Sequence, residues 1–274
     1  MSNNSKTSAE TSLSTDTGLT ADPWQQLKSY TRARIALGRA GSSLPTKEVL
    51  DFGMAHAMAR DAVHLALDAE ALAAVLQNAG FITCQVHSRA PDRASYLLRP
   101  DLGRRLDDVS IESLQAIKPS AGVELQIVVA DGLSSLAVER HVPPLLEEIR
   151  RYLPAAWTPC PIVIACQARV ALADEIGAAL GARMVAMLIG ERPGLSSPDS
   201  LGIYLTYAPR VGRHDAERNC ISNVRAEGLS YAAAARKTLW LANEALRLKL
   251  SGVGLKDESD MAEIVADKVL ILPS

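Results

Sequence analysis

Aromatic side chains make up only 4% of the 274 residues, and the chain holds just two phenylalanines. Stacked aromatic platforms of the kind that hold single-stranded nucleic acid are therefore not expected. A surplus of one charge sign is missing too: 29 Lys and Arg stand against 31 Asp and Glu, a formal net charge of -2. Such a balance gives no field to concentrate nucleic acid or an anionic membrane surface. No apolar run reaches the roughly 18 residues that a membrane span needs. The N-terminus also lacks the basic-then-apolar order of a secretory signal. The cysteines, Cys84, Cys160, Cys166 and Cys220, form no CxxC pair, and no histidine stands at zinc-finger spacing. Neither a structural zinc nor a disulfide framework is supported, and the chain reads as cytosolic, in a reducing compartment.

What the chain does have is apolar content, at 48%, enough to bury one large core or two small ones. Residues 1–22 are rich in Ser, Thr and Asn and nearly free of large apolar groups, so they read as a disordered tail. Helical periodicity begins near Pro23, runs through WQQLKSYTRARIAL, breaks at GRAGSS and resumes after Pro45 with Thr46 as a candidate cap. Val49, Phe52, Met54, Ala55, Met58 and Val63 fall along one broad helical face, and a further helix is expected over 69–78. Residues 23–80 thus form a helical N-terminal region.

From residue 81 the pattern changes to α/β. Strand-length apolar runs at 81–87, 125–130, 162–166, 184–189 and 203–207 alternate with helical stretches at 109–117, 141–152 and 171–180, and a closing helix follows at 231–250. Near-continuous apolar strands separated by helices predict a mostly parallel, Rossmann-like sheet flanked by helices over 81–260. Residues 261–274, a C-terminal tail, are ambiguous between helix and strand.

Ligands in open α/β sheets sit beyond the carboxyl ends of the strands. That rule marks three loops: Asp131 to Ser134, Gln167 to Val170, and the stretch GERPGLSSPDSLG over 190–202. The last is not a phosphate cradle, because it lacks GxxxxGK[ST] and Pro193 removes a backbone N–H; nor does GxGxxG follow any strand. It offers instead a carboxylate, Glu191, able to accept from a ligand's hydroxyl or amide groups. Cys220 lies in a polar segment with His214 close in sequence, which leaves open a nucleophilic pair or a buried, inert thiol. His56 and His64 stand eight apart, too far for HExxH. The segments around Pro91-Asp92-Arg93 and Pro100 to Arg105 look like turns with a cationic edge. No acid/base constellation stands out.

Taken together, RIALGRAGSSLPTKEVLDF (34–52), SRAPDRASYLLRPDLGRRL (88–106), VADGLSSLAV (129–138), RVALADEIGAALGARMVAMLIGERPGLSSPDSLGIYLTYAPR (169–210) and ERNCISN (217–223) closely resemble the small (light) subunit of ethanolamine ammonia-lyase. The resemblance covers about 24–254. It implies an adenosylcobalamin-dependent enzyme that converts ethanolamine to acetaldehyde and ammonia. The cofactor would lie between this chain and a large, barrel-shaped subunit that carries the substrate site. The family's cobalamin contacts fall on Val170 of the RVxxxDxIG segment, Glu191 of GERPG and Cys220 before ISN. No D-x-H-x-x-G pattern occurs, so the resemblance implies a base-on cofactor without a histidine ligand from this chain. It implies a hetero-oligomer in the bacterial cytosol or within a bacterial microcompartment. The alternative is a stand-alone module that holds a corrinoid or nucleotide-like ligand in an α/β crevice without catalysis.

Overall fold

A computed structural model describes residues 19–158 and 160–260; the expected tails over 1–18 and 261–274 lie outside the described residues. The chain divides into two compact units, Met1–His56 and Ala57–Ser274.

In the first unit, β1 (Leu19–Thr20) pairs antiparallel with β2 (Arg39–Ala40). The helix expected from Pro23 is reduced to a single 3₁₀ turn, Gln25–Ser29, none of whose residues is buried. A short helix with no face to bury is marginal in water, and here the chain does not sustain one. Helix α1 (Thr46–His64), whose last turns from Ala57 onward belong to the second unit, begins at the expected position, with Thr46 as its first helical residue. Its apolar stripe is not core: Val49, Leu50, Phe52, Met54 and Met58 are all exposed, and Ala62 is the buried residue of the helix.

The second unit is built on a six-stranded sheet in the order β3-β5-β4-β6-β7-β8. These strands are β3 (Thr83–His87), β4 (Val123–Ala130), β5 (Ile162–Cys166), β6 (Ala182–Gly190), β7 (Leu201–Tyr207) and β8 (Arg218–Val224). β3, β5, β4 and β6 are parallel, whereas β7 and β8 are each antiparallel to the strand before them. The sheet is mixed and mostly parallel, as expected of this α/β pattern. Like the short β1 and β2 of the first unit, β8 of this sheet was not foreseen. Of its seven residues only Arg218, Ile221 and Val224 are buried, so it carries no continuous apolar run.

Helices cover both faces. α2 (Ala69–Asn78), α5 (Ser135–Tyr152) and α7 (Tyr231–Leu248) lie on one, where Ala234, Ala235, Ala242 and Ala245 of α7 join a core with Val138, Leu145 and Ile149 of α5. α4 (Asp108–Ala116) and α6 (Leu172–Leu180) lie on the other, with Leu114, Leu172, Ile176 and Leu180 against Val128, Val163 and Met187. The chain therefore leaves β4 toward one face through α5 and leaves β5 toward the other through α6. Diverging loops at the carboxyl ends of adjacent parallel strands open a crevice there.

The segment after β3 also differs from its expected turn. Asp92 caps α3 (Arg93–Leu98) by accepting from the Ser95 N–H at 2.7 Å, and Arg93 is buried rather than solvated.

Candidate ligand crevice at the carboxyl edge

The three strand-end loops meet around one buried carboxylate. Asp131, at the end of β4 and fully buried, accepts from the Gly132 and Ala168 N–H groups through Oδ1 at 3.0 and 2.9 Å, and from the Gln167 N–H through Oδ2 at 2.9 Å. Arg93 Nη1 donates to the same Oδ2 at 3.1 Å. Burial pushes the Asp131 carboxyl up, opposed by Arg93 and these amides. On the other side, the Leu133 N–H donates to the Gly190 carbonyl at 2.9 Å. Gly132 takes a left-handed φ of +54°, and a Cβ there would run into the Gly190 carbonyl. The β4 and β6 ends touch backbone to backbone, which only glycine permits.

Val170 sits on the loop that Asp131 anchors, just before α6. Its neighbour Arg169 stacks at 4.3 Å over the ring of Tyr96, with Arg93 over the same ring at 4.8 Å. The Tyr96 hydroxyl donates to the Ala168 carbonyl at 3.0 Å. Arg93, Tyr96 and Asp131 thus fix the backbone that presents Val170.

Glu191 opens the connection from β6 to β7, which is a hairpin because those strands run antiparallel. Its N–H donates to the Ser200 carbonyl at 2.9 Å, closing the base of the loop. Its Oε2 accepts from Ser200 Oγ and, at 3.3 Å, from the Asn223 N–H. Oε1 takes no hydrogen bond among the described residues. A Cβ at Gly202 would lie 3.0 Å from that atom, so glycine leaves Oε1 its space.

Cys220 is exposed and pairs across the sheet with Tyr204. The phenol and the thiol are neighbours on one face of the sheet, and both are held above their ordinary pKa ranges, chiefly by partial desolvation, with the Glu191 charge adding to each. No hydrogen bond joins Cys220 to His214, so the nucleophilic pair does not form among the described residues. Tyr204 links all three expected positions: with Val170 and Glu191 it lines a crevice of about 390 Å³, and it stands opposite Cys220 in the β7–β8 register. Nothing in the sequence pointed to Tyr204, since it reads as one more apolar-strand residue; its β7 register, opposite Met187 on β6 and Cys220 on β8, carries its role.

Among the described residues no cluster of three or more His, Cys, Asp or Glu could hold a metal ion, and no helix is long and apolar enough to cross a membrane. His56 and His64 are exposed on α1. The arrangement is thus a mixed polar and apolar binding crevice on an α/β sheet, without a nucleophile–base pair.

A family model described as ethanolamine ammonia-lyase light chain (EutC) matches residues 21–256. Proteins named ethanolamine ammonia-lyase small subunit are similar along nearly the whole length. That of Pseudomonas syringae pv. tomato is 56% identical over 92% of this chain and 89% of its own. Those of Pseudomonas putida strain W619 and Xanthomonas campestris pv. campestris strain ATCC 33913 are 58% and 57% identical, over 89% and 90% of this chain and 90% and 92% of theirs. The chain belongs to the ethanolamine ammonia-lyase light-chain family.

Proposed function

We propose that this chain is the small subunit of an adenosylcobalamin-dependent ethanolamine ammonia-lyase and that its crevice forms one side of the cobalamin site, facing the large subunit. The observation that carries this reading is the convergence of Val170, Glu191 and Cys220, drawn from three separate segments of the chain, around Tyr204. Their chemistry suits a corrinoid, whose rim alternates apolar edge and amide substituents. Val170 offers apolar contact, Glu191 Oε1 is an unused acceptor for an amide N–H, and the Cys220 thiol is a small, soft surface. The cofactor supplies the radical chemistry that turns ethanolamine into acetaldehyde and ammonia; this chain binds, orients and excludes water. A base-on cofactor is part of this reading, as is assembly into a hetero-oligomer in the bacterial cytosol or in a microcompartment. The exposed Leu50, Phe52, Met54 and Met58 of α1 supply apolar surface of the kind partner chains cover.

Co-expression with the large subunit tests the reading. The two chains should co-purify, and the cobalamin absorption spectrum should appear with the complex. Tight cobalamin binding by this chain alone would instead favour a stand-alone module, and turnover by it alone would overturn the reading.

A further inference from the structure

Beside the crevice, and sharing Arg169, Val170 and Tyr204 with it, lies a second cleft of about 510 Å³. Its wall is dominated by guanidinium groups, from Arg104, Arg105, Arg169, Arg213 and Arg218, with Asp215 as its carboxylate. Several of these are neutralised within the protein. Arg105 pairs with Glu175 at 2.9 Å, Arg218 with the buried Asp174 at 2.7 Å, and Arg213 with Glu217. Two are not. Arg104 makes no ion pair with any described residue, and Arg169 is held by stacking on Tyr96 while its buried Nε has no hydrogen-bond partner. The cleft therefore keeps positive charge and unused N–H donors at the border of the crevice, next to an apolar wall of Val170 and Val211.

We infer that this cleft is an anion subsite continuous with the crevice and that it takes a phosphodiester, the one fixed negative charge among the substituents of cobalamin. The inference rests on the cobalamin reading of the crevice and extends it to a part of the ligand that Val170, Glu191 and Cys220 do not address. Guanidinium groups match phosphate oxygens in geometry as well as charge, and Arg104, at the end of a 3₁₀ turn over Leu102–Arg104, is free to turn toward an incoming group.

The test uses the two-subunit complex and compares cobalamin with cobinamide, the corrinoid that lacks the nucleotide loop and its phosphate, by equilibrium dialysis. Arg104→Gln should weaken cobalamin binding about fivefold to tenfold and cobinamide binding less than twofold, and Arg104→Lys should restore most of the loss. Glu191→Ala, by contrast, should weaken both corrinoids. Equal losses for the two corrinoids in Arg104→Gln, or no loss for either, would overturn the subsite while leaving the crevice reading intact. If the wild-type complex binds neither corrinoid, the crevice reading itself fails, and the subsite with it. Inorganic phosphate separates the two sources of the anion. Competition with cobalamin that Arg104→Gln abolishes supports the inference; phosphate binding that depends on Arg104 yet leaves cobalamin affinity unchanged assigns the cleft to a free anion and overturns it.

Discussion

Replacing Asp131 by Ala would remove the acceptor that ties the loops after β4 and β5 to each other and to Arg93 of α3. The substitution leaves the N–H groups of Gly132, Gln167 and Ala168 without a partner, in a place where the wild-type carboxylate is fully buried. It also strands the Arg93 guanidinium, itself buried. Each orphaned buried donor costs roughly 1–3 kcal/mol, and breaking a buried ion pair costs about 3–5 kcal/mol. These losses overlap, because removing Asp131 also removes the penalty for burying its own charge, so we expect a net cost of about 4 kcal/mol. For a unit of this size that corresponds to a fall in melting temperature of roughly 10 °C, measured by far-ultraviolet circular dichroism. Asp131→Asn keeps an oxygen for Gly132 and Ala168 but turns an NH₂ toward Gln167 and Arg93, and should fall between the two. Pairing Asp131→Ala with Arg93→Met should recover part of the loss, since no buried charge is then left alone. A shift below about 3 °C for Asp131→Ala, or strict additivity with Arg93→Met, would refute the claim that this carboxylate organises the edge.

Other expectations are read at the crevice. Glu191→Ala should lower cobalamin affinity of the complex about tenfold while lowering the melting temperature of the chain by no more than about 4 °C, because Asn223 is exposed and water can replace the carboxylate there, whereas the buried Ser200 hydroxyl loses its acceptor. The Cys220 thiol is held above the ordinary range, so its alkylation by iodoacetamide should be slower than that of an unperturbed cysteine at pH 8. Because the Glu191 charge contributes to that shift, Glu191→Gln should lower the thiol pKa and speed alkylation at fixed pH; an unchanged pH profile would break the link between the two residues. Gly190→Ala places a Cβ against the Ser134 carbonyl and 2.6 Å from the Asp131 carbonyl, both rigid backbone. It should destabilise by several kcal/mol, seen as loss of soluble chain or a melting temperature at least about 8 °C lower.

The core strands were legible in the sequence because parallel strands covered on both faces must be apolar throughout, as in Met184 to Ile189. β8 escaped for the converse reason. At the sheet edge it buries only Arg218, Ile221 and Val224, and Arg218 is satisfied by Asp174 and Thr206 rather than by apolar packing. A polar edge strand carries no periodic signal. α3 was hidden behind Pro91 and Pro100, which mark turns with equal force whether or not six helical residues lie between them. The apolar stripe of α1 was legible as a pattern, but pattern alone does not say which surface covers it, and in this chain it is exposed. The three loops of the edge could be marked because their position follows from topology. What no spacing revealed were the contacts that join them: Asp131 to Gln167 and Ala168 across 36 and 37 residues, and the pairing of Tyr204 with Cys220 between β7 and β8.

The Glu191 hairpin has a base fastened to its surroundings and an exposed tip closed only on itself, where Gly194 and Ser197 exchange backbone hydrogen bonds at 3.0 and 3.3 Å. Its base is fastened by Glu191 to Ser200, by Ser134 Oγ to the Pro198 carbonyl at 2.8 Å, and by Arg140 to Asp199 at 2.8 Å. Beyond these ties, Gly194, Leu195 and Ser196 are exposed. Chain length at the tip is therefore uncoupled from the position of the carboxylate. Residues can be inserted between Leu195 and Ser196 without displacing Glu191, which makes that point a natural seat for a fluorescent or affinity label reporting on the crevice from its rim.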